Sequence, residues 1–263
     1  MAIGPGSWDL DDPLDWFDPY EDYPPEPREN EFLLYRHELR LKRMRASVLE
    51  SARLIEEQLA ASGFRFKPAM LTLTYREDAE YSSKQVSALL QHIRKWLKRH
   101  GAPFVAYIWV MELTKRGRPH YHVIIWLPKG LSLPKPDKQG WWPWGHTRIE
   151  WARSAVGYLV KYASKLQGQG NEVQSTKFPK GSRLHGNGGL DTLRRRVRRW
   201  RLFPQWVREQ FNFDDDPMRA EGGGFTSRLT GKVCESPYRL QAHSEKWVWC
   251  LFVLKEPPLQ LGF

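Results

Sequence analysis

The stretch FVAYIWVMELTKRGRPHYHVIIWL, residues 104–127, decides the fold of this chain. Its two halves, 104–113 and 120–127, are rich in β-branched and aromatic residues, which are typical of strands. Between them lies Arg116-Gly-Arg-Pro119, whose residues favour a tight turn. Two strand-like runs around such a turn predict an antiparallel β-hairpin.

On both sides of this hairpin, strand patterns alternate with helix patterns. Apolar residues two apart indicate a strand, whereas apolar residues three and four apart indicate a helix. The order β-α-β-β-β-α, with the hairpin at its centre, predicts an α+β domain in which helices pack on a mainly antiparallel sheet. The other elements expected are a strand at 69–75, a helix capped by Ser82 or Ser83 and stopped by Gly101, a strand at 146–151, a helix at 153–166, a basic helix at 192–200 and, after Pro204, a helix at 205–211.

Composition divides the chain into four segments. Residues 1–30 are rich in Pro, Asp and Glu, and we expect them to form an acidic, disordered leader. Residues 31–65 predict a charged helical extension, either packed on the main domain or paired with another copy. Residues 66–211 predict the main domain with a basic helical end. The tail, 212–263, is expected to begin with a Gly-rich linker and to contain a strand at 247–254.

The charge distribution favours a polyanionic partner. The formal net charge is +11, yet residues 1–30 carry nine acidic side chains against one arginine, so the remainder of the chain carries about +19. A body this basic suits nucleic acid, and aromatic faces such as those of the 13 tryptophans can stack on unpaired bases. The alternative for most of these tryptophans is packing in the core.

Several classes of protein are disfavoured by what the sequence lacks. No stretch approaches about eighteen consecutive apolar residues, and the first residues have neither the basic start nor the apolar run of a signal peptide. Cys234 and Cys250 lack metal-ligand spacing, so we expect reduced thiols, a cytoplasmic location and no membrane contact. The chain has no Gly-x-x-x-x-Gly-Lys-[Ser/Thr] loop, which argues against an ATP-driven helicase of that type.

The hairpin places three potential metal ligands on one face. Residues two apart on a strand project to the same side, so the imidazoles of His120 and His122 point one way. If the turn centres on Arg116 or Gly117, Glu112 lies opposite one of these histidines on that face. Two imidazoles and one carboxylate can hold a divalent cation and leave positions for water or a phosphate oxygen. The alternative is a pair of half-buried histidines beside an unrelated glutamate.

A second motif lies in the helix expected after the sheet. Tyr158 and Tyr162 are four residues apart, so both phenols lie on one helical face. Lys165 falls on the same side at the next turn, and Lys161 sits beside it. A phenol with a pKa near 10 is a poor nucleophile at neutral pH, but a polarised phosphate and a lysine that stabilises negative charge would ease its attack. The alternative is aromatic packing in the core.

Together these motifs resemble the HUH endonuclease superfamily. The resemblance rests on Leu-Thr-Leu-Thr at 71–74, Glu112 followed by Arg116-Gly-Arg-Pro-His-Tyr-His122, and Tyr158-x-x-Lys-Tyr-x-x-Lys165, in that order. Within the superfamily the chain is similar to rolling-circle replication initiators of small phages and plasmids, namely the microvirus gene A and filamentous-phage gene II types. The resemblance covers about residues 66–200.

The resemblance implies a fold and a mechanism. The fold is the HUH endonuclease one, a ferredoxin-like or RRM-like sheet with packed helices. His120, His122 and Glu112 would hold Mg²⁺ or Mn²⁺, and a tyrosine would nick single-stranded or supercoiled origin DNA, leaving a 5′-phosphotyrosine link and a free 3′-hydroxyl. The second tyrosine would cut the regenerated origin and allow religation, while a host helicase and a host DNA polymerase unwind and extend the strand. Tyr-Ala-Ser-Lys resembles single-tyrosine members, which favours Tyr162 as the first nucleophile; the use of one tyrosine alone stays open.

Arginines and tryptophans are the DNA contacts expected outside these motifs. Five arginines in six residues, with no acid beside them, would repel one another unless they met a polyanion; the alternative is a solvated helix face. Trp141, Trp142 and Trp144 are a candidate platform for base stacking, with core packing as the alternative. The arginines predicted to contact DNA are Arg116, Arg118, Arg153, Arg183, Arg194, Arg195, Arg196, Arg198 and Arg199.

Two other functions fit the same residues. A two-tyrosine transposase or a mobilisation relaxase would carry the same motifs and would differ in its DNA substrate. A non-catalytic DNA-binding regulator would bind without metal and would tolerate Tyr158 and Tyr162 changed to Phe. We favour the nuclease over the regulator, because a binding protein needs neither the histidine pair with its glutamate nor the phenols.

Overall fold

The secondary structure comes from a computed structural model, which describes residues 31–102, 105–114, 116–152, 154, 157–159, 178–179, 181–221, 223–242 and 247–252. Its elements are β1 (Glu31–Tyr35), α1 (Arg36–Ala61), β2 (Phe66–Tyr75), α2 (Gln85–Arg99), β3 (Ala106–Leu113), β4 (Pro119–Pro128), β5 (Gly145–Trp151), β6 (His185–Gly188), α3 (Thr192–Arg201), α4 (Gln205–Gln210), β7 (Met218–Arg219), β8 (Phe225–Thr226), β9 (Val233–Cys234), β10 (Tyr238–Ala242) and β11 (Trp247–Phe252). The acidic leader expected at 1–30 lies outside the described residues.

The chain divides into two compact units. One combines the chain up to His37 with the chain from Ser236, and the other runs from Glu38 to Glu235. In the first unit β11 lies between β1 and β10 in a three-stranded antiparallel sheet. The strand expected in the tail is therefore confirmed as β11.

The start of the N-terminal extension is a strand, where the sequence predicted a helix. β1 pairs with β11 along its whole length, so its hydrogen-bonding partner lies more than 200 residues away in the chain. Local periodicity cannot detect such a partner, and a run with Phe32 and Leu34 suits a strand once the partner exists. The expected helix begins at Arg36 and continues to Ala61.

The second unit is built on a five-stranded sheet in which every neighbouring pair is antiparallel. Its strand order is β5-β2-β4-β3-β6, so the hairpin β3–β4 lies inside the sheet rather than at its edge. The predicted α+β class, with helices on a mainly antiparallel sheet, is confirmed. The strands predicted around the hairpin are also present, with ends that differ from the expected ones by at most three residues.

Helix α2 packs through the apolar stripe that the sequence predicted. Its buried residues include Val86, Leu89, Ile93 and Leu97, which recur at three and four. The predicted caps Ser82 and Ser83 do not cap the helix through their side chains, because the side chain of Gln85 occupies this role: its Oε1 accepts the Ser82 N–H at 2.8 Å and the Tyr75 hydroxyl at 2.7 Å.

Helix α1 packs on the sheet face that carries His122. At one end Leu59 lines a cavity together with Trp126, which lies four residues from His122 on β4 and so shares its face. Further along, the hydroxyl of Ser47 lies 2.7 Å from Nε2 of His185, and His185 and His122 both pair with the same residue of β3. The extension therefore packs on the main domain, one of its two expected arrangements.

The segment after α4 is structured, although the sequence predicted a linker from residue 212. β7, β8 and β9 form a small antiparallel sheet, and Phe225 of β8 packs in a cluster with Val207 and Phe211. Asp216, which adopts a left-handed backbone with φ of 45°, accepts ion pairs from arginines of α3. These contacts keep the Gly-rich stretch in the same compact unit as the main sheet. Within the described ranges, no helix has the length and apolarity needed to cross a membrane.

Candidate metal and nucleic-acid site

The turn of the central hairpin sets the register that the sequence predicted. The N–H of Gly117 donates to the carbonyl of Thr114 at 2.8 Å, and the N–H of Thr114 donates to the carbonyl of Arg118, also at 2.8 Å. Gly117 has a φ of 73°, which favours glycine. Because the turn centres on Arg116, Glu112 lies directly opposite His120.

The structure brings the three predicted metal ligands together. His122 is only 4% exposed, and its Nε2 lies 3.4 Å from Oε2 of Glu112. The rings of His120 and His122 have centroids 4.7 Å apart. Burial of the glutamate beside two imidazoles in the middle of a sheet puts a negative charge where water cannot solvate it well, which favours a cationic partner.

The residues present fit a divalent cation, although they do not form a complete ligand set as they stand. Across the described ranges, no group of three His, Cys, Asp or Glu side chains has the arrangement of a metal site. The Oε1 of Glu112, however, is buried and lacks a hydrogen-bond partner among the described residues. A carboxylate oxygen that needs a partner, next to two imidazoles, is a donor set that Mg²⁺ or Mn²⁺ accepts.

Strand register extends this face with polar residues that the sequence analysis did not single out. Thr74 of β2 pairs with His120 on one side and with His146 of β5 on the other. Thr72 pairs in the same way with His122 and with Arg148. Directly paired residues share a face, so two rows of polar side chains cross four strands beside the glutamate. The alternating polar positions of β2 and β5 were the signal in the sequence, but the pairing of these strands was not.

A glycine lets β5 approach β2 beside this face. A Cβ added to Gly145 would stand 1.8 Å from the carbonyl oxygen of Thr74, far inside any allowed contact. Gly145 therefore allows the approach that places His146 next to Thr74. The ring of Trp142 is anchored here as well, since its Nε1 donates to the same carbonyl at 3.1 Å.

The tyrosine helix begins on the face that carries the histidines. Residues 157–159 have helical backbone, and Ser154 accepts the N–H of Gly157 through its hydroxyl at 3.1 Å. Ser154 lines the same cavity as Trp126, which places the start of the helix over this face. Tyr158 is half-buried against the main core, and Leu159 is buried. The other predicted residues of this motif, Lys161, Tyr162 and Lys165, lie outside the described residues, as does Arg153.

Comparison with known families bears on this segment. Residues 68–167 match the model of a family of replication-associated proteins of the ORF2 type. The match spans less than half of the chain but includes the hairpin, the three predicted ligands and both tyrosines. It supports a role in DNA replication. No curated protein and no solved structure gave a significant match to the chain.

Two arginines at the edge of the matched hairpin already have partners within the fold. The guanidinium of Arg116 lies 2.6 Å from the carboxylate of Glu77, in an ion pair that is exposed on both sides. The guanidinium of Arg118 donates to the main-chain carbonyls of Arg76 and Glu77. Arg118 thus ties the hairpin turn to the loop after β2, whereas Arg116 keeps its exposed side chain accessible to a phosphate.

The arginine helix α3 has acidic partners, contrary to the premise drawn from its sequence neighbours. Asp191 pairs with Arg194 at its N-terminus, and Asp216 pairs with Arg199 and more distantly with Arg196. These acids come from outside the run of arginines, so the run alone did not reveal them. Arg195 is exposed and makes only local bonds to the first turn of the helix. Contact with DNA by α3 and by the exposed Arg183 remains a prediction.

A half-buried network joins α1, β6 and α3 at the other edge of the sheet. Arg198 donates to the hydroxyls of Ser47 and Ser51, and the Ser47 hydroxyl lies against His185. Burial, and next the positive charges of Arg198 and Arg40, lower the pKa of His185 to about 4. His185 is therefore neutral at physiological pH, and the sequence analysis had assigned it no role.

The tryptophan loop is mostly part of the core. Trp142 is 0% exposed and packs edge-to-face against Tyr75 and Trp144. Trp141 is half-buried, and its ring is nearly parallel to that of His92, with centroids 6.2 Å apart. Core packing, one of the two interpretations of these residues, is confirmed for Trp142.

Proposed function

We propose that this protein is a rolling-circle replication initiator that nicks single-stranded origin DNA through a tyrosine and stays covalently attached to it. The observation that carries the proposal is the buried Glu112 beside His122 and His120, within a segment that matches a replication-associated family. The finer assignment to the HUH superfamily and the gene A type, with its tyrosine chemistry, belongs to this proposal. Its support is the order of motifs in the sequence.

Each group in the site has a distinct task in this reaction. Glu112, His120 and His122 would hold Mg²⁺ or Mn²⁺, which when bound withdraws electron density from the scissile phosphate and stabilises its transition-state charge. Tyr162 or Tyr158 would supply the nucleophilic oxygen. Lys161 and Lys165 would stabilise the negative charge that develops on the phosphate.

The nicking step conserves the number of phosphate ester bonds. The phenolic oxygen forms a bond to phosphorus while the bond from phosphorus to the 3′ oxygen breaks; the phenol loses its proton and the departing 3′ oxygen gains one. Because an ester bond is exchanged rather than hydrolysed, the step can run backwards and religate a strand without ATP. This agrees with the absence of a Gly-x-x-x-x-Gly-Lys-[Ser/Thr] loop from the sequence.

Unwinding and synthesis would fall to other proteins, namely a host helicase and a host DNA polymerase. The polymerase would extend the free 3′-hydroxyl that the nick creates. A two-tyrosine transposase or relaxase remains the alternative within this chemistry, and a non-catalytic regulator is the alternative outside it.

Covalent trapping tests the proposal. The protein is incubated with labelled single-stranded phage or plasmid DNA carrying candidate origins, with Mn²⁺ or with EDTA, and the mixtures are run on denaturing gels. We expect an adduct that requires metal and disappears when Tyr158 and Tyr162 are both changed to Phe. A wild-type protein that binds these DNAs but never cuts or links to them would favour the regulator instead.

A further inference from the structure

We propose that a cleft beside the candidate metal face binds one nucleotide of the single strand, an inference that rests on the proposed function and adds a subsite to it. The cleft has a volume of about 360 Å³ and lies where β2 ends and the hairpin turns. Small-ligand pockets have volumes of roughly 300–1,000 Å³, so this one has room for a nucleotide and not for a duplex. Its lining includes Thr74 and Tyr75 of β2, Thr114, Arg116 and Arg118 of the turn, and Pro119.

The cleft continues the face on which the scissile phosphate would lie. Thr74 pairs with His120, and Thr114 is two residues beyond Glu112 on the same strand direction. Two residues along a strand span about 7 Å, so the cleft begins within reach of the nucleotide next to the reacting phosphate. A strand crossing the site would therefore place a neighbouring base or sugar in it.

The walls of the cleft are fixed before any ligand arrives. Arg118 joins them, because its guanidinium donates to the carbonyls of Arg76 and Glu77 in one wall while its main-chain N–H donates to Oγ1 of Thr114 in the other, at 3.2 Å. The ring of Tyr75 is held edge-to-face against Trp142, with centroids 5.1 Å apart. A pre-formed cleft avoids the entropy lost when a flexible site orders on binding.

The charges at the rim suit a phosphate that displaces a carboxylate. The side chains of Arg116 and Glu77 are 80% and 78% exposed, and an ion pair this exposed contributes little to stability. A phosphate of the bound strand offers Arg116 a better partner, since guanidinium and phosphate can form two parallel hydrogen bonds. Glu77 would then repel the strand and compete with it for Arg116.

This competition predicts opposite effects from two substitutions. Binding of a fluorescein-labelled oligodeoxythymidylate is followed by fluorescence anisotropy in EDTA, where no cutting occurs. Glu77→Gln removes the competing carboxylate, so we expect about threefold tighter binding. Thr114→Trp fills the cleft, and loss of one held base predicts binding about tenfold weaker.

Matched variants separate these effects from general ones. Glu57→Gln removes a carboxylate from another exposed ion pair, with Arg53 on α1, and should leave affinity unchanged. Thr114→Ser keeps the hydroxyl that accepts the Arg118 N–H and should bind like the wild type. Thermal unfolding of each variant confirms that the fold is retained, which we expect because the side chains of Glu77 and Thr114 are exposed.

The outcomes distinguish the cleft from the proposed function. If wild-type protein binds the strand and folded Thr114→Trp binds equally well, the cleft proposal is overturned while the nicking proposal stands. An equal gain for Glu57→Gln and Glu77→Gln would also overturn it, because the effect would be one of net charge. A wild-type protein with no affinity for single strands would contradict both proposals.

Discussion

Acid should destabilise the folded protein through His185, and the size of the effect follows from its surroundings. Arg198 has only hydrogens to donate, so it takes a lone pair of the Ser47 hydroxyl, whose own proton then points to Nε2 of His185. Protonation of that nitrogen would set two donors against each other next to the charges of Arg198 and Arg40. Burial adds to this and is the largest cause of the low pKa.

The sign and the window follow from the two pKa values. The pKa of His185 is about 4 in the folded protein against an ordinary value of 6.5, so the unfolded chain binds its proton first as pH falls. Above pH 6.5 this histidine leaves the stability unchanged, and between pH 6.5 and 4 the free energy of unfolding decreases. A difference of two to three pKa units corresponds to a loss of about 3 kcal/mol at pH 4.

The assay compares wild-type protein with His185→Gln by urea unfolding at several pH values between 7 and 4. Other groups that titrate in this range act on both proteins, so they cancel in the difference between the two free energies of unfolding. We expect this difference to shift in favour of the variant by about 3 kcal/mol from pH 7 to pH 4. His92→Gln, a change at an exposed histidine, is the control. A difference that stays constant over the whole range would refute the reasoning.

Three further predictions concern the metal ligands, the core and the strand approach. Glu112→Gln should weaken Mn²⁺ binding at least about tenfold in calorimetry, whereas Glu150→Gln, on another strand of the same sheet face, should not; equal losses would contradict the assignment. Trp142→Ala should lower the free energy of unfolding by about 3–5 kcal/mol because its ring is fully buried, and a loss below about 1 kcal/mol would argue against its core position. Gly145→Ala should cost more than about 2 kcal/mol, since the added Cβ meets the Thr74 carbonyl, and a urea midpoint like that of the wild type would show that β5 lies farther away.

The part of the site formed by neighbouring segments was predictable from the sequence. Glu112 and His120 belong to one hairpin, so the length of the turn fixes their pairing and the period of a strand fixes their face. The class of the fold followed from the same local patterns. The helix stripe of α2 was predictable for this reason too, although its cap was not, because Gln85 reaches back to Ser82 with a side chain that single-position preferences do not assign to capping.

The rest depends on contacts between distant segments. His146 and Arg148 join the histidine face only because β5 pairs with β2, about 75 residues earlier in the chain. Asp216 neutralises arginines of α3 across a helix and a turn, and a run of like charges gives no hint of such a partner. β1 is a strand because β11 lies beside it. Periodicity records the preference of a segment, whereas these features were decided by its tertiary partners.

The central claim is that a tyrosine of this chain becomes the covalent link to DNA. The measurement that tests it most directly is mass spectrometry of the Mn²⁺-dependent adduct after nuclease trimming and trypsin digestion. Trypsin would separate the two candidates, because Tyr158 lies in the peptide 154–161 and Tyr162 in the peptide 162–165. The account predicts a nucleotide 5′-phosphate on a tyrosine of one or both peptides, with none formed in EDTA or by Glu112→Gln. A nucleotide attached elsewhere, or cleaved DNA with no attached protein, would contradict it.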